Sequence, residues 1–343
     1  MALIVTVTRI DLNDVDKLEE QRLYARKAVH HGLIHKEHFE QGNSPFNGDL
    51  IYSQMFNTQD KTEKQIFDKI SSAWKHDAKE AHVYLDLGFN EDMLKNISEL
   101  SEHGLQIKFK TLSDKNMVKR AVDSLKDVTE AVQFFESQKE VLQHYTYKLD
   151  YHFSPKNEVF ESRNFNPQHN ENGEFKRIIL ESPFAGDVNN NVHYAKALIH
   201  KLAHQGYAPS ASHLLYTQCL NDTLQFDRDL GINKGLDYAH NKDSIIGIDR
   251  GFSTGMKYGV QRAINEGRSY RFETLSEEPS VIKSVSNLRD ITDAVDYIAE
   301  MKDTNTKLFE NTGFINPNSL SDKLLLDKNI EVKVTSHSHL KIK

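Results

Sequence analysis

Cysteine is almost absent: one residue, Cys219, in a chain of 343. A lone thiol cannot form an internal disulfide and fits a reducing compartment, so the cytoplasm is the expected location. Long apolar runs are missing as well, and none approaches the roughly 18 residues that a membrane span requires. Residues 1–7 read as a first β-strand and lack the basic start, apolar middle and cleavage site of a secretory signal. Positive charge is in deficit, with 43 Lys and Arg against 50 Asp and Glu and a formal net charge of −7. That balance excludes general binding to a phosphate backbone, which needs a basic face to release counterions.

Several signatures are absent too. No Gly-x-x-x-x-Gly-Lys-Ser/Thr, Gly-x-Gly-x-x-Gly or His-Glu-x-x-His motif occurs. Histidines number 17 but are mostly scattered. His31 with His35, and His200 with His204, have the four-residue spacing that places both rings on one helical face. Neither pair has an adjoining glutamate or an evident third ligand, so no metal and no other cofactor is expected. Cys219 has no catalytic context and reads as a small core residue.

What the chain does contain is a repeat. Leu50, Ile51, Tyr52, Ser53 and Gln54 match Leu214, Leu215, Tyr216, Thr217 and Gln218, and Asn57 falls on Asn221. Asp86, Leu87, Gly88 and Phe89 align with Asp249, Arg250, Gly251 and Phe252. Phe109, Thr111, Leu112 and Ser113 align with Phe272, Thr274, Leu275 and Ser276, and residues 125–132 with 288–295. The matches are collinear and need a single one-residue gap near Glu80, so two copies of one domain are present. The expected division is a first copy at 1–138, a connector at 139–175, a second copy at 176–303 and an extension at 304–343. The extension carries one alternating stretch, 330–334, with the pattern of a strand.

Each copy alternates strand and helix, the order of an α/β fold with a mainly parallel sheet. In the second copy strands are expected at 177–180, 212–218 and 244–249, with helices at 192–204 and 233–240. In the first, strands are expected at 3–8, 81–85 and 107–111, with helices at 15–31, 65–76, 91–103 and 128–135. Open α/β sheets bind ligands at the carboxyl ends of their strands, so the turns there are the candidate site.

Ser182, Pro183, Phe184, Ala185, Gly186 and Asp187 follow a strand and precede a helix. Small residues there let backbone amides approach an anion, although Asp187 and Gly186 also suit a plain cap and turn. His213 and Tyr216 are placed near the end of the second strand. Tyr52 in the first copy makes Tyr216 a packing or interface residue, whereas Asp49 stands where His213 does. His213 is therefore the better ligand contact, with a structural histidine as the alternative. Asp227 and Asp229 precede a helix, and Asp249 ends a strand where sugar hydroxyls are contacted in such folds. Asp86 in the first copy leaves a structural cap open for Asp249. Ser253, Thr254, Gly255 and Met256 open another helix and suit a phosphate, whereas Asn90, Glu91 and Asp92 opposite them would repel one. Gly251 to Gly255 also spells a Gly-x-Ser-x-Gly nucleophile elbow, but the only later histidines are His337 and His339 in the extension.

Those second-copy motifs resemble uncharacterised bacterial and phage domains similar to the nucleoside 2-deoxyribosyltransferases. The resemblance covers residues 177–275 and implies a flavodoxin-like Rossmann sandwich that binds a nucleoside or nucleotide, in the host cytoplasm if phage-encoded. It implies that Asp229 contacts the base and that Asp249 lies near the ribose. The family's nucleophilic glutamate, four residues ahead of an alanine, falls on Gly259, ahead of Ala263. Such transferases complete their sites with a neighbouring subunit, which two fused copies would imitate as an intrachain pseudo-dimer. Catalysis at an N-glycosidic bond, ligand binding without turnover, and docking of the first copy onto a protein partner are the three functions this leaves.

Overall fold

The computed structural model describes residues 3–34, 43–155 and 174–304. The expected strand at 330–334, residues 156–173 of the connector, His35 and the two tail histidines lie outside them. The first half carries β1 (Leu3–Val7), α1 (Leu18–Ile34), β2 (Ser44–Phe46), α2 (Gly48–Tyr52) and α3 (Lys61–Ala73). It continues through β3 (Ala78–Tyr84), α4 (Glu91–Glu102), β4 (Gln106–Lys110), α5 (Asn116–Asp123) and α6 (Val128–Gln143). The second half carries β5 (Lys176–Glu181), α7 (Val188–His204), β6 (Tyr207–Ser210), α8 (Gln225–Tyr238) and β7 (Asp243–Gly247). Then come α9 (Thr254–Asn265), β8 (Tyr270–Glu273), α10 (Pro279–Ser286) and α11 (Ile291–Thr304).

Each half folds around a four-stranded sheet, all parallel, in the orders β2-β1-β3-β4 and β6-β5-β7-β8. These are tandem Rossmann-like α/β sandwiches with the same topology. The registers superimpose them residue by residue: Ile4 pairs with Pro45 as Ile178 pairs with Pro209, which sets Val7 opposite Glu181. Gly88 and Gly251 occupy the same left-handed turn, with φ of 72° and 70°, a conformation that favours glycine.

The halves pack as an intrachain pseudo-dimer about an approximate twofold axis. Tyr52 Oη donates to the Pro209 carbonyl at 3.0 Å, and Tyr216 Oη donates to the Pro45 carbonyl at 3.1 Å. Gln54 Nε2 donates to Oε1 of its counterpart Gln218 at 3.3 Å. One apolar core runs through this interface, from Phe46, Tyr52 and Trp74 to Leu198, Tyr216 and Tyr238. Two further cores belong to one half each, around Val83, Ile97 and Phe135 and around Ile246, Val260 and Ile298.

Two expected elements differ. The stretch 212–218 forms two 3-10 turns, Ser212–Leu214 and Tyr216–Gln218, and the strand is β6, a four-residue run just upstream that ends at Ser210. Pro209 within β6 obscures it in the sequence, since proline weakens a strand pattern. Helix α8 begins at Gln225, so Asp227 and Asp229 lie inside its first turns and not ahead of it.

Candidate functional site

A cleft of about 720 Å³ empty volume, mouth included, opens at the carboxyl ends of β5, β6 and β7. All its lining residues belong to the second half. Glu181 and Ser182 come from the end of β5, and Phe184 and Ala185 from the turn after it. The 3-10 turns bring Ser212, His213, Tyr216 and Thr217, and α8 brings Asp227, Arg228, Gly231 and Ile232. The opposite wall is Ser253, Gly255 and Met256 at the start of α9. This is where an open parallel sheet exposes its loops to a ligand.

Ser182, Phe184, His213, Tyr216, Ser253, Gly255 and Met256 thus come together as the sequence suggests. Five other candidates do not line the cleft. Asp249 is caged: Thr274 Oγ1 donates to one carboxylate oxygen, while Tyr194 Oη, at 2.8 Å, and Leu275 N, at 2.9 Å, donate to the other. Asp86 in the first half has the same cage from Thr111, Tyr24 and Leu112. A carboxylate held by the same partners in both copies ties the loop after β3 to the loop after β4, and the loop after β7 to the loop after β8, the arrangement of a structural cap. Asp229 accepts from Gln225 Nε2 at 2.8 Å along its own helix. Asp187 accepts from Asn190 at the head of α7 and pairs with Arg250 at 3.4 Å, and Gly186 takes φ of 91° to make that turn. Pro183 is buried beside them.

Both serines expected to grip an anion have partners within the protein. Ser253 Oγ accepts from Met256 N and caps its own helix, while Ser182 Oγ lies 3.2 Å from His213 Nε2. The cleft presents three carboxyls, Glu181, Asp222 and Asp227, against one guanidinium. That guanidinium, Arg228, is already paired with Asp222 at 2.8 Å. Coulomb repulsion in a partly desolvated site disfavours a phosphate and favours a neutral ligand rich in N–H and O–H donors.

Glu181 is the residue that sequence patterning misses. Among the described residues no side chain or backbone group hydrogen-bonds its carboxyl, and burial pushes that carboxyl from 4.5 up to about 7, against a partial pull downward from Arg268. A Cβ built on Gly259 would overlap this carboxyl group. Glu181 therefore occupies the space that a side chain at position 259 would fill. Beside it, burial lowers His213 to about 4 and keeps its imidazole neutral. The Phe184 ring lies 6.0 Å from that imidazole, and Met256, Leu220 and Ile232 add apolar wall. A carboxyl poised near neutrality inside a cleft can act as base, acid or nucleophile.

Cys219 is buried, its thiol pushed upward by that burial, which suits packing and not nucleophilic chemistry. No helix among the described residues is long and apolar enough to cross a membrane. A family model described as a domain of unknown function (DUF7768) matches residues 176–273, the half that holds the cleft. No curated protein and no solved structure matches the chain.

Proposed function

We propose that the cleft of the second half binds a nucleoside and acts on its N-glycosidic bond, with Glu181 as the reacting carboxylate. The observation that carries this reading is the exchange between Glu181 and Gly259. The resemblance to deoxyribosyltransferases puts their nucleophilic glutamate on Gly259, and the Glu181 carboxyl lies in the space that glycine leaves. A carboxyl group is thus kept beside position 259, although it comes from a strand end and not from a helix. Ionised Glu181 attacks the anomeric carbon, the glycosidic bond breaks and the base leaves with its electron pair; water then attacks the anomeric carbon, the bond to Glu181 breaks to restore the carboxylate, and the proton water gives up passes to the departed base. The neutral His213, the Ser182 hydroxyl and the acids Asp222 and Asp227 provide hydrogen-bond partners for base and sugar. The acidic lining selects nucleosides over their monophosphates.

Purine and pyrimidine nucleosides and their 5′-monophosphates are incubated with the protein, and free base is followed by chromatography. Base release from at least one nucleoside is expected, faster than from its monophosphate. Glu181→Gln lowers it by about a hundredfold or more. Thermal-shift binding with no base release from any nucleoside would reject catalysis and leave a binding module. Neither binding nor release would reject the nucleoside reading and leave docking of the first half onto a protein partner.

A further inference from the structure

A second group of chemically capable side chains lies outside the cleft lining, at the seam between the halves. His200 and His204 are one turn apart at the end of α7, and Glu63 reaches them from the first turn of α3 in the other half. All three are buried, at 3%, 5% and 3% exposure for His200, His204 and Glu63. His204 Nε2 is 2.6 Å from Glu63 Oε1, and His200 Nε2 is 3.0 Å from Oε2. One donor atom from each of the three lies within 4.8 Å of the other two. The rings stand 4.5 Å apart, centroid to centroid, and Phe56 closes one side at 5.1 Å from His200.

We infer that Glu63, His200 and His204 form a binding site for a zinc-type divalent cation that joins the two halves. Two imidazole nitrogens and one carboxylate are a common zinc donor set, with water or a further donor as the fourth ligand. Tetrahedral ligands at zinc distances stand about 3.3 Å apart; His200 Nε2 already lies 3.2 Å from Glu63 Oε1, while the 2.6 Å contact from His204 Nε2 to that oxygen must open by about 0.7 Å. Binding would replace the protons shared between imidazole and carboxylate, and the dication would take their place opposite the Glu63 carboxylate. The fold does not require the cluster. Tyr24 and Tyr194 play matching parts, which sets His30 opposite His200 and Ile34 opposite His204, while Asp227 stands opposite Glu63. That mirrored position lacks the second imidazole, and its Asp227 accepts from Asn221 N. The triad is thus a feature of one side of the pseudo-dimer and not a packing device repeated by the duplication.

The test uses the full chain without a polyhistidine tag. After incubation with zinc and desalting, elemental analysis is expected to give close to one zinc per chain. Cobalt in its place is expected to give the visible absorption of a tetrahedral site, and chelator to lower the melting temperature. His204→Ala and Glu63→Gln lower metal affinity by at least about tenfold; the Gln variant keeps the side-chain volume should the Ala variant unfold. Wild-type protein that retains no zinc and whose melting is indifferent to zinc and chelator overturns the inference. So does a folded Glu63→Gln variant that binds zinc as tightly as wild type.

Discussion

Glu181 ends a strand whose three preceding residues, Ile178, Ile179 and Leu180, are core. Its position opposite Val7 shows what the fold alone asks for there: in the first half an aliphatic side chain suffices, 1% exposed. A carboxyl in that place opposes burial, so its ionisation is linked to stability. Its folded-state value of about 7 stands above the ordinary 4.5. The folded protein therefore holds the proton more tightly, and stability declines as pH rises between those values. Glu181→Gln removes the penalty. It is expected to stabilise the protein by about 1–3 kcal/mol at pH 8 and to change little at pH 4.5, as measured by urea unfolding at both pH values. Equal effects at the two pH values would show that the carboxyl is not desolvated. The same ionisation sets the pH profile of base release, whose kcat/KM is expected to rise to a plateau through about pH 7. A residue of this kind escapes sequence patterning because a glutamate beside Pro183 reads as the start of a turn. The signal that could have found it is spatial, the glycine at 259.

At the scale of elements, the twin aspartate cages explain how the strand-end loops keep their shape. Asp86 and Asp249 each hold a tyrosine from the first helix of their half, a threonine and a backbone amide from the loop after the last strand. Replacing either by alanine strands those donors, in a buried site at Asp86 and a half-buried one at Asp249. Each change is expected to destabilise by about 2–4 kcal/mol, nearly equally, whereas Asp229→Ala falls within about 0.5 kcal/mol. Urea unfolding of the three variants decides it, and a neutral Asp249→Ala would contradict the structural role. Helix periodicity made most helices legible, through Ile66, Ile70 and Trp74 or Leu198, Ile199 and Leu202. It failed where local signals conflict. The strand Tyr207–Ser210 is short and holds a proline, and the apolar pair Leu214 and Leu215 looks like a strand but serves two tight turns.

At the scale of the whole molecule, duplication was legible because matched motifs kept their order and spacing. The contacts that duplication creates were not. Glu63 stands 137 residues from His200 in sequence, and no local pattern joins them. The shared core shows that neither half is complete by itself. Expressed alone, residues 174–304 leave the interface face of Leu198, Tyr216 and Tyr238 uncovered, an apolar surface that drives association. Light scattering is expected to find that fragment dimeric or aggregated, against a single-chain fold for the intact protein. A stable, well-folded monomer would contradict the pseudo-dimer as the unit of stability.

The account turns on one carboxyl group in one place, and moving it back is the most direct measurement. Base release is compared in wild type, Glu181→Ala, Gly259→Glu and the double variant Glu181→Ala/Gly259→Glu. Both single variants are expected to fail, one for want of a carboxyl and the other because two carboxyls crowd one space, while the double variant regains release. Full activity in Glu181→Ala would contradict the account, and so would a folded double variant as inactive as the singles.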